Sequence, residues 1–217
     1  MCDFIDACDF NDNGGYHPAI SLPRQHGCPF PHAVARLYYE RGAFLFHQGD
    51  TVRGGYHLTA GLVARERVDE DGRLVILKVL RPPALFPCAD LFAQLPHAST
   101  ARALTDAQAC FIPLERLLAA MADADNRALL LRVSAAEARD SENAIFRLCT
   151  GDLAAQIMAM LAAVIEDRQR DGGTIHGTLP LCWRELAAMV GTSPEVMSRI
   201  VRKLEKSGRL HVKGRAV

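Results

Sequence analysis

The chain has 217 residues, of which 49% are hydrophobic and 23% charged, and its formal net charge is zero. This length and composition suit a folded protein with a sizeable core, in one large or two modest domains. No apolar run approaches the roughly eighteen residues of a membrane helix, and the first residues, MCDFIDACDF, are acidic where a signal peptide is basic. We therefore expect a cytoplasmic protein that does not contact the membrane.

Charge is distributed unevenly along the chain. Positions 184 to 215 contain eight lysines and arginines against three acidic residues, whereas the first fifteen residues contain four aspartates and no base. Such asymmetry is typical of a basic binding module attached to a different body. The C-terminal part is therefore expected to bind a large anion.

The first half of the chain predicts β structure after an irregular start. Residues 1–36 are rich in Gly, Pro, Asp, Cys and His and have no sustained period. Between 37 and 115, short apolar runs (44–46, 56–68, 74–80, 99–104 and 109–114) alternate with turn signals such as Gly61 and the Asp71-Gly72 pair. This pattern favours a small barrel or sandwich.

Helical patterns follow. LERLLAAM (114–121) predicts one short helix, Asn126 to Leu148 a long one, and AAQIMAMLAAVIEDRQRD (154–171) a third that stops at Gly172-Gly173. A helix as long as the second one either pairs with a partner chain or packs on its own domain.

The C-terminal block predicts a winged helix-turn-helix. A short helix over 184–191 ends at Gly191, Thr192 or Ser193 can cap the next one, and Pro194 suits its first turn. That helix continues to about Ser207, and LHVKGRAV (210–217) supplies a basic wing.

The second of these helices has the composition of a DNA-recognition helix. Glu195, Ser198 and Arg199 share one N-terminal face, where Arg can bind guanine and Glu can accept from the cytosine amino group. Further basic residues are expected to contact phosphates: Arg202, Lys203, Lys206, Lys213 and Arg215. The alternative is an amphipathic helix whose charges are merely solvated.

RELAAMVGTSPEVMSRIVRKLEKSGRLHVKGR resembles the C-terminal domain of CRP/FNR-family transcription regulators, and FLFHQGD and HLTAGLVARERVDEDGRLVILKVL resemble their β-roll. The resemblance implies an α+β fold: a β-roll sensor domain over 37–125, a dimerisation helix over 126–150 and a winged helix-turn-helix over 151–217. The E-x-x-S-R pattern resembles the FNR branch, which implies a homodimer that binds double-stranded DNA at palindromic TTGAT-type half-sites and contacts RNA polymerase.

Cyclic nucleotides are not the expected signal. A cyclic-nucleotide sensor of this family carries Gly-Glu for the ribose and Arg-Ser for the phosphate. Here the first position holds Pro87-Cys88, and HASTA (97–101) has no Arg before Ser99. A buried phosphate without a guanidinium partner is poorly stabilised.

The cysteines instead suggest a redox cofactor. DAQACFIPL resembles the FNR segment that carries the internal cluster ligand, here Cys110, and HGCPFPH places Cys28 as an N-terminal ligand. With Cys2 and Cys8 they make four thiolates, the usual complement of a 4Fe–4S cluster, which implies sensing of oxygen or nitric oxide. The spacing departs from that branch, because five residues separate Cys2 from Cys8 and nineteen separate Cys8 from Cys28.

Other cofactors and chemistries remain open. Haem would use Cys88 with a second ligand among His17, His26, His32, His47 and His97, and direct thiol oxidation would use Cys2, Cys8, Cys28 or Cys88. Cys149 and Cys182 are expected to be buried small hydrophobes. A β-roll metal or redox protein without DNA function is a further alternative, although the sequence lacks catalytic motifs and an enzyme is not expected.

Asp140 is a candidate dimer switch. It lies among alanines in the middle of the long helix. If it faced its twin across a dimer axis, two carboxylates would repel each other, and an intact cofactor could offset this repulsion. The alternatives are that Asp140 faces solvent or pairs with Arg132 or Arg139 of the neighbouring chain.

Overall fold

The turn-rich first half of the chain folds into a β-roll of two antiparallel sheets. A computed structural model describes residues 20–22, 35–171, 174–214 and 216–217. The strands are β1 Ile20–Leu22, β2 Ala35–Tyr39, β3 Phe44–Phe46, β4 Gly54–Ala60, β5 Val63–Val68, β6 Leu74–Leu80, β7 Ala84–Phe86, β8 Thr100–Ala103 and β9 Ala107–Pro113. Their order is β1-β2-β9-β4-β7 in one sheet and β3-β8-β5-β6 in the other.

Turn residues set the strand connections as the sequence predicts. Gly61, between β4 and β5, has a φ of +79°, and a Cβ added there would lie 2.1 Å from the Asp106 carbonyl oxygen. In the β5–β6 hairpin, the Gly72 amide donates to the Asp69 carbonyl at 3.0 Å. The face between the two sheets is filled by apolar side chains that include Leu58, Val63 and Phe86.

Three helices cover the outer side of the larger sheet. They are α1 Cys88–Ala93, α2 Leu114–Ala120 and α3 Ala124–Thr150, which confirms the predicted long helix and extends it by two residues at each end. Asp123 caps α3 by accepting hydrogen bonds from the amides of Asp125 and Asn126. Leu130 anchors the helix in a cluster with Ile112 and Leu117.

The next helix, α4 Leu153–Val164, is shorter than the sequence predicted. EDRQRD is a strand, β10 Glu166–Asp171, paired with β11 Thr174–Thr178. The apolar positions at helical spacing end at Ile165, and EDRQRD has no apolar face for a longer helix to bury, whereas pairing with β11 satisfies its backbone.

The winged helix-turn-helix forms with α5 Trp183–Met189, α6 Pro194–Lys206 and a wing in which Lys213 and Thr178 bridge to Ala216. The Ser193 hydroxyl accepts from the Val196 amide at 3.3 Å and caps α6. The core of this domain is continuous with the outer face of the smaller sheet, through Leu62, Ala64, Ile76 and Leu104. Within the described ranges, no helix is long and apolar enough to cross a membrane.

Candidate DNA-binding surface and sensor pocket

Helix α6 presents one polar face to solvent. Glu195, Ser198 and Arg199 are all exposed on it, as the sequence predicted. On the opposite side, Met197, Val201 and Leu204 are buried in the domain core. Helical periodicity therefore fixes the orientation of α6, with its N-terminal polar face available to a groove of DNA.

The residues predicted to contact phosphates surround this face. Those within the described residues are exposed: Arg202, Lys203, Lys206 and Lys213. Arg215 lies outside the described residues. Two of these cations, Lys203 and Lys206, lie in the last turn of α6, where positive charge also stabilises the helix.

Glu195 is held in its ionised form. A hydrogen bond with the Ser193 side chain, followed by one with its own backbone amide, lowers the pKa of its carboxyl. An ionised carboxylate only accepts hydrogen bonds, which is the chemistry that contact with a base amino group requires.

A guanidinium that the sequence did not reveal lies beside Ser99 and Asp90. Arg65 Nε donates to Ser99 Oγ at 2.9 Å, and Arg65 Nη2 lies 3.2 Å from Asp90 Oδ2. No arginine precedes Ser99 in the sequence, but the fold places one beside it. Arg65 reaches Ser99 from β5, which pairs with β8, and not from the preceding residue.

Acidic groups accompany this guanidinium. Asp90 is buried and pairs with it, and Glu137 of α3 lies nearby. The pKa of the Glu137 carboxyl is raised. Burial is the main cause, and the charges of Lys78 and Arg65 offset it only in part. Because Arg65 is already neutralised by a carboxylate, an incoming phosphate would have to displace that carboxylate.

Asp140 pairs with a lysine of the roll in the single chain. Its carboxylate lies 3.0 Å from Nζ of Lys78 in β6 of the same chain, and its side chain is 63% exposed. It follows Leu130 and Glu137 at helical spacing, on the side of α3 that faces the roll. Within the single chain its ionic partner is therefore Lys78.

Cys88 is a protonated, enclosed thiol. It is 3% exposed, and its Sγ donates to the Leu85 carbonyl at 3.6 Å. Burial, then the charge of Glu137, raises the pKa of this thiol to about 12. The adjoining cavity, which Leu91, Leu117 and Leu130 help to line, measures about 10 Å³ and is no larger than one water. In this conformation it has no space for a haem.

The remaining cofactor candidates are dispersed. Cys110 is 3% exposed in β9, between β2 and β4. His97 is buried and stacks on Phe46 with ring centroids 3.7 Å apart, while His47 is exposed. The other candidates lie outside the described residues: Cys2, Cys8, Cys28, His17, His26 and His32. No group of three or more metal-binding side chains comes together in the described part of the chain.

Two cysteines differ from expectation. Cys149 is exposed, because it lies in the last turn of α3, beyond the part of the helix that packs on the roll. Cys182 is half-buried, because it is the N-cap residue of α5 and not a core residue.

A buried ionic cluster joins the roll to the DNA-binding domain, and no sequence pattern predicts it. Arg102 of β8 makes a bidentate contact with Glu66 of β5, with Nε and Nη2 each 2.9 Å from a carboxylate oxygen. Arg102 Nη1 donates to Glu185 of α5 at 3.3 Å, and Arg41 Nη2 contacts the same carboxylate at 3.3 Å. We call these four residues the interdomain ion cluster.

Comparison with known proteins gives the family. Residues 36–124 match the cyclic nucleotide-binding domain family, and residues 153–217 match the Crp-like helix-turn-helix domain family. A CRP-like cAMP-activated global transcriptional regulator of Mycobacterium tuberculosis is 26% identical over 86% of this chain and 88% of its own length. The HTH-type transcriptional regulator Cmr of the same species is 29% identical over 81% of this chain and 68% of its own length.

Solved structures show the same fold. A CRP/FNR-family regulator of Thermus thermophilus superposes with a TM-score of 0.70 at 23% identity, covering 83% of this chain and 91% of its own. FixK2 of Bradyrhizobium japonicum superposes with a TM-score of 0.71 at 21% identity, covering 83% and 89%. These structures confirm the predicted α+β architecture, and the two family matches with the curated relatives confirm the prediction of a DNA-binding transcription regulator. The chain belongs to the CRP/FNR family of transcription regulators.

Proposed function

We propose that this regulator binds, as a homodimer, a palindrome with TTGAT-type half-sites, and that a cofactor in its N-terminal half controls this binding. The observation that carries the proposal is the exposed face of α6, where Glu195, Ser198 and Arg199 lie together. Arg199 provides two donors for guanine, and ionised Glu195 provides an acceptor for cytosine. RNA polymerase is the expected protein partner.

An exposed apolar surface on α3 supports the homodimer. Leu131, Ala135, Ala138, Ile145 and Cys149 follow one another at spacings of three, four or seven residues, and all are exposed; we call this set the α3 seam. Leu131 is 63% and Ile145 61% exposed. Such a stripe, interrupted by Glu142, is typical of a helix that pairs with a second copy of itself.

The DNA proposal is tested by fluorescence anisotropy with two duplexes of equal composition, one carrying the TTGAT palindrome and the other a shuffled sequence. We expect the palindrome to bind at least roughly a thousandfold more tightly. The affinity for both duplexes should fall as the salt concentration rises, because the lysines and arginines of the protein release counterions from the DNA phosphates when they bind. Equal affinity for the two duplexes would refute the proposed specificity.

For the cofactor, we propose a 4Fe–4S cluster held by Cys2, Cys8, Cys28 and Cys110. Cys110 supports this role as a buried thiol on a rigid central strand. Such a cluster, when bound, supplies sensitivity to oxygen or nitric oxide. The cavity beside Cys88, which has no space for a haem, argues against a haem there, and the pairing of Arg65 with Asp90 argues against a cyclic nucleotide.

The cofactor proposal is tested on protein purified without oxygen, by its absorption spectrum and by assays of iron and acid-labile sulfide. We expect about four of each per chain, lost in air. Cys110→Ser should abolish both, whereas Cys149→Ser, a change at an exposed cysteine, should not. A sharp Soret band, or a colourless protein without iron, would refute the cluster.

A further inference from the structure

The interdomain ion cluster buries one arginine and two glutamates between the roll and the DNA-binding domain, with a second, partly exposed arginine at its edge. The side chains of Arg102, Glu66 and Glu185 are 5–7% exposed, and only Arg41 reaches solvent. The two positive and two negative charges balance. A buried charge without its partner is costly. Separation of the two domains would leave unpaired charges on the roll and on α5.

The cluster is ordered on both sides. On the roll, the bidentate contact with Glu66 fixes the plane of the Arg102 guanidinium, leaving Nη1 directed at α5. On the DNA-binding domain, the Glu185 carboxylate also accepts from the Cys182 amide at 3.0 Å, which locks it to the first turn of α5. The contact between Arg102 and Glu185 therefore ties the position of α5 to that of β5 and β8.

Neighbouring contacts also hold the DNA-binding domain against the roll. Leu62, Ile76 and Leu104 of the roll pack in one core with Leu186 of α5. Arg73, at the tip of the β5–β6 hairpin, donates to the Gly191 carbonyl in the turn between α5 and α6. The apolar contacts favour docking in general, whereas the directional ionic contacts select one orientation.

We propose that Arg102, oriented by Glu66, is a positioning residue for DNA recognition: by binding Glu185 it fixes the orientation of the DNA-binding domain on the roll. The inference rests on the proposed palindrome binding by a dimer. In such a dimer the two rolls are joined through α3, so the seating of each α5 on its roll determines the distance between the two α6 helices. Half-sites one helical turn apart require that distance to be fixed.

This role predicts a specific effect on affinity. When Arg102 no longer holds Glu185, each DNA-binding domain still recognises a half-site, but the second binding event loses its favourable geometry. Arg102→Met should weaken binding to the palindrome roughly tenfold or more, with the affinity for a single half-site changed less than about twofold. Arg67→Met is the matched control, because Arg67 is an exposed arginine on the adjoining strand β5, and it should change neither affinity.

A second variant covers the case in which Arg102→Met fails to fold. Glu185→Gln keeps an oxygen acceptor for the Cys182 amide, since glutamine also suits this capping position, but it removes the charge that binds Arg102. It should produce the same selective loss for the palindrome, and the double variant should lose no more than the stronger single one. Calorimetry on the full chain verifies that each variant folds.

The outcomes separate this inference from the proposed function. If the wild-type chain does not prefer the palindrome to the half-site, the proposed dimeric recognition fails. If the wild type prefers it, and folded Arg102→Met and Glu185→Gln keep the same ratio of palindrome to half-site affinity, the positioning role is overturned. An equal loss for half-site and palindrome would also overturn it, because that result indicates damage to the DNA-binding domain itself.

Discussion

At the scale of single residues, the environment of each cysteine determines its chemistry. The thiolate is the reactive form of cysteine, and Cys88 is enclosed in an apolar cluster that raises the pKa of its thiol to about 12. Cys149 is exposed on α3. The same side chain is therefore inert beside Leu91 and Leu130, whereas at the end of α3 it lies on the surface that the proposed dimer covers.

We predict that iodoacetamide at pH 8 alkylates Cys88 only after unfolding, as mapped by peptide mass spectrometry of folded and urea-unfolded protein. Because the folded pKa of Cys88 is raised, its burial as a neutral thiol contributes stability that is fully present below the ordinary pKa of 9.0 and is lost as the pH rises toward about 12. Cys88→Ala should remove that part of the pH dependence of the free energy of unfolding. Labelling of Cys88 in the folded protein at the rate seen in urea would contradict this assignment.

The exposed cations of α6 differ in what they contribute to DNA recognition. Arg199→Ala should cost about 1–3 kcal/mol on the TTGAT palindrome and relax specificity at one base pair, since it removes a base contact. Lys203→Ala should weaken palindromic and shuffled duplexes alike and reduce the salt slope by about one. Titrations with single-base variants of the palindrome separate the two results. An Arg199→Ala variant that loses affinity uniformly over all sequences would make Arg199 a phosphate contact.

At the scale of elements, α3 has two functions on two faces. Its first half packs on the roll through Leu130 and its neighbours, whereas the α3 seam remains exposed in the single chain. Residues toward the C-terminal end, such as Ile145 and Phe146, are more than 60% exposed. Exposed apolar area of this extent marks an interface.

We predict that Ile145→Glu dissociates the homodimer, because pairing would bury an uncompensated charge at a cost of roughly 3 kcal/mol or more. Sedimentation velocity over a range of protein concentrations measures the change. Arg139→Glu, at an exposed position outside the seam, is the control and should remain dimeric. A dimer of unchanged stability in Ile145→Glu would place the interface elsewhere on the chain.

The sequence predicted elements whose determinants are local. The Ser193 cap, the turn at Gly61 and the periodicity of α3 were all recognisable, and the structure contains each of them. The strand β10 was missed, because its formation depends on pairing with β11 and its own residues carry no strand pattern. Arg65 beside Ser99 and Arg102 beside Glu185 were missed for a related reason: each pair is formed by residues distant in the chain, which only the assembled fold brings together.

At the scale of the whole molecule, ionic contacts connect the roll to the DNA-binding domain on one side and to α3 on the other. The interdomain ion cluster joins the roll to α5, and the Lys78–Asp140 pair joins β6 of the roll to α3. The first contact is buried, whereas the Lys78–Asp140 pair is largely exposed. An exposed pair contributes only about 0–1 kcal/mol, which is small enough for a signal in the roll to change it and so alter the pairing of two α3 helices.

The role of Asp140 is tested by comparing Asp140→Ala with Lys78→Ala. If the ion pair links the roll to α3, both variants should change the dimerisation constant in the same direction by up to roughly fivefold, and the double variant should add nothing. If instead the two Asp140 carboxylates repel each other across the dimer, the variants should act in opposite directions. Asp140→Ala would then tighten the dimer and allow DNA binding in air, whereas Lys78→Ala, which removes the neutralising cation, would weaken it. Because Asp140 contacts Lys78 and lies on the side of α3 that faces the roll, we expect the first result, and opposite effects in sedimentation and anisotropy would establish the repulsion instead.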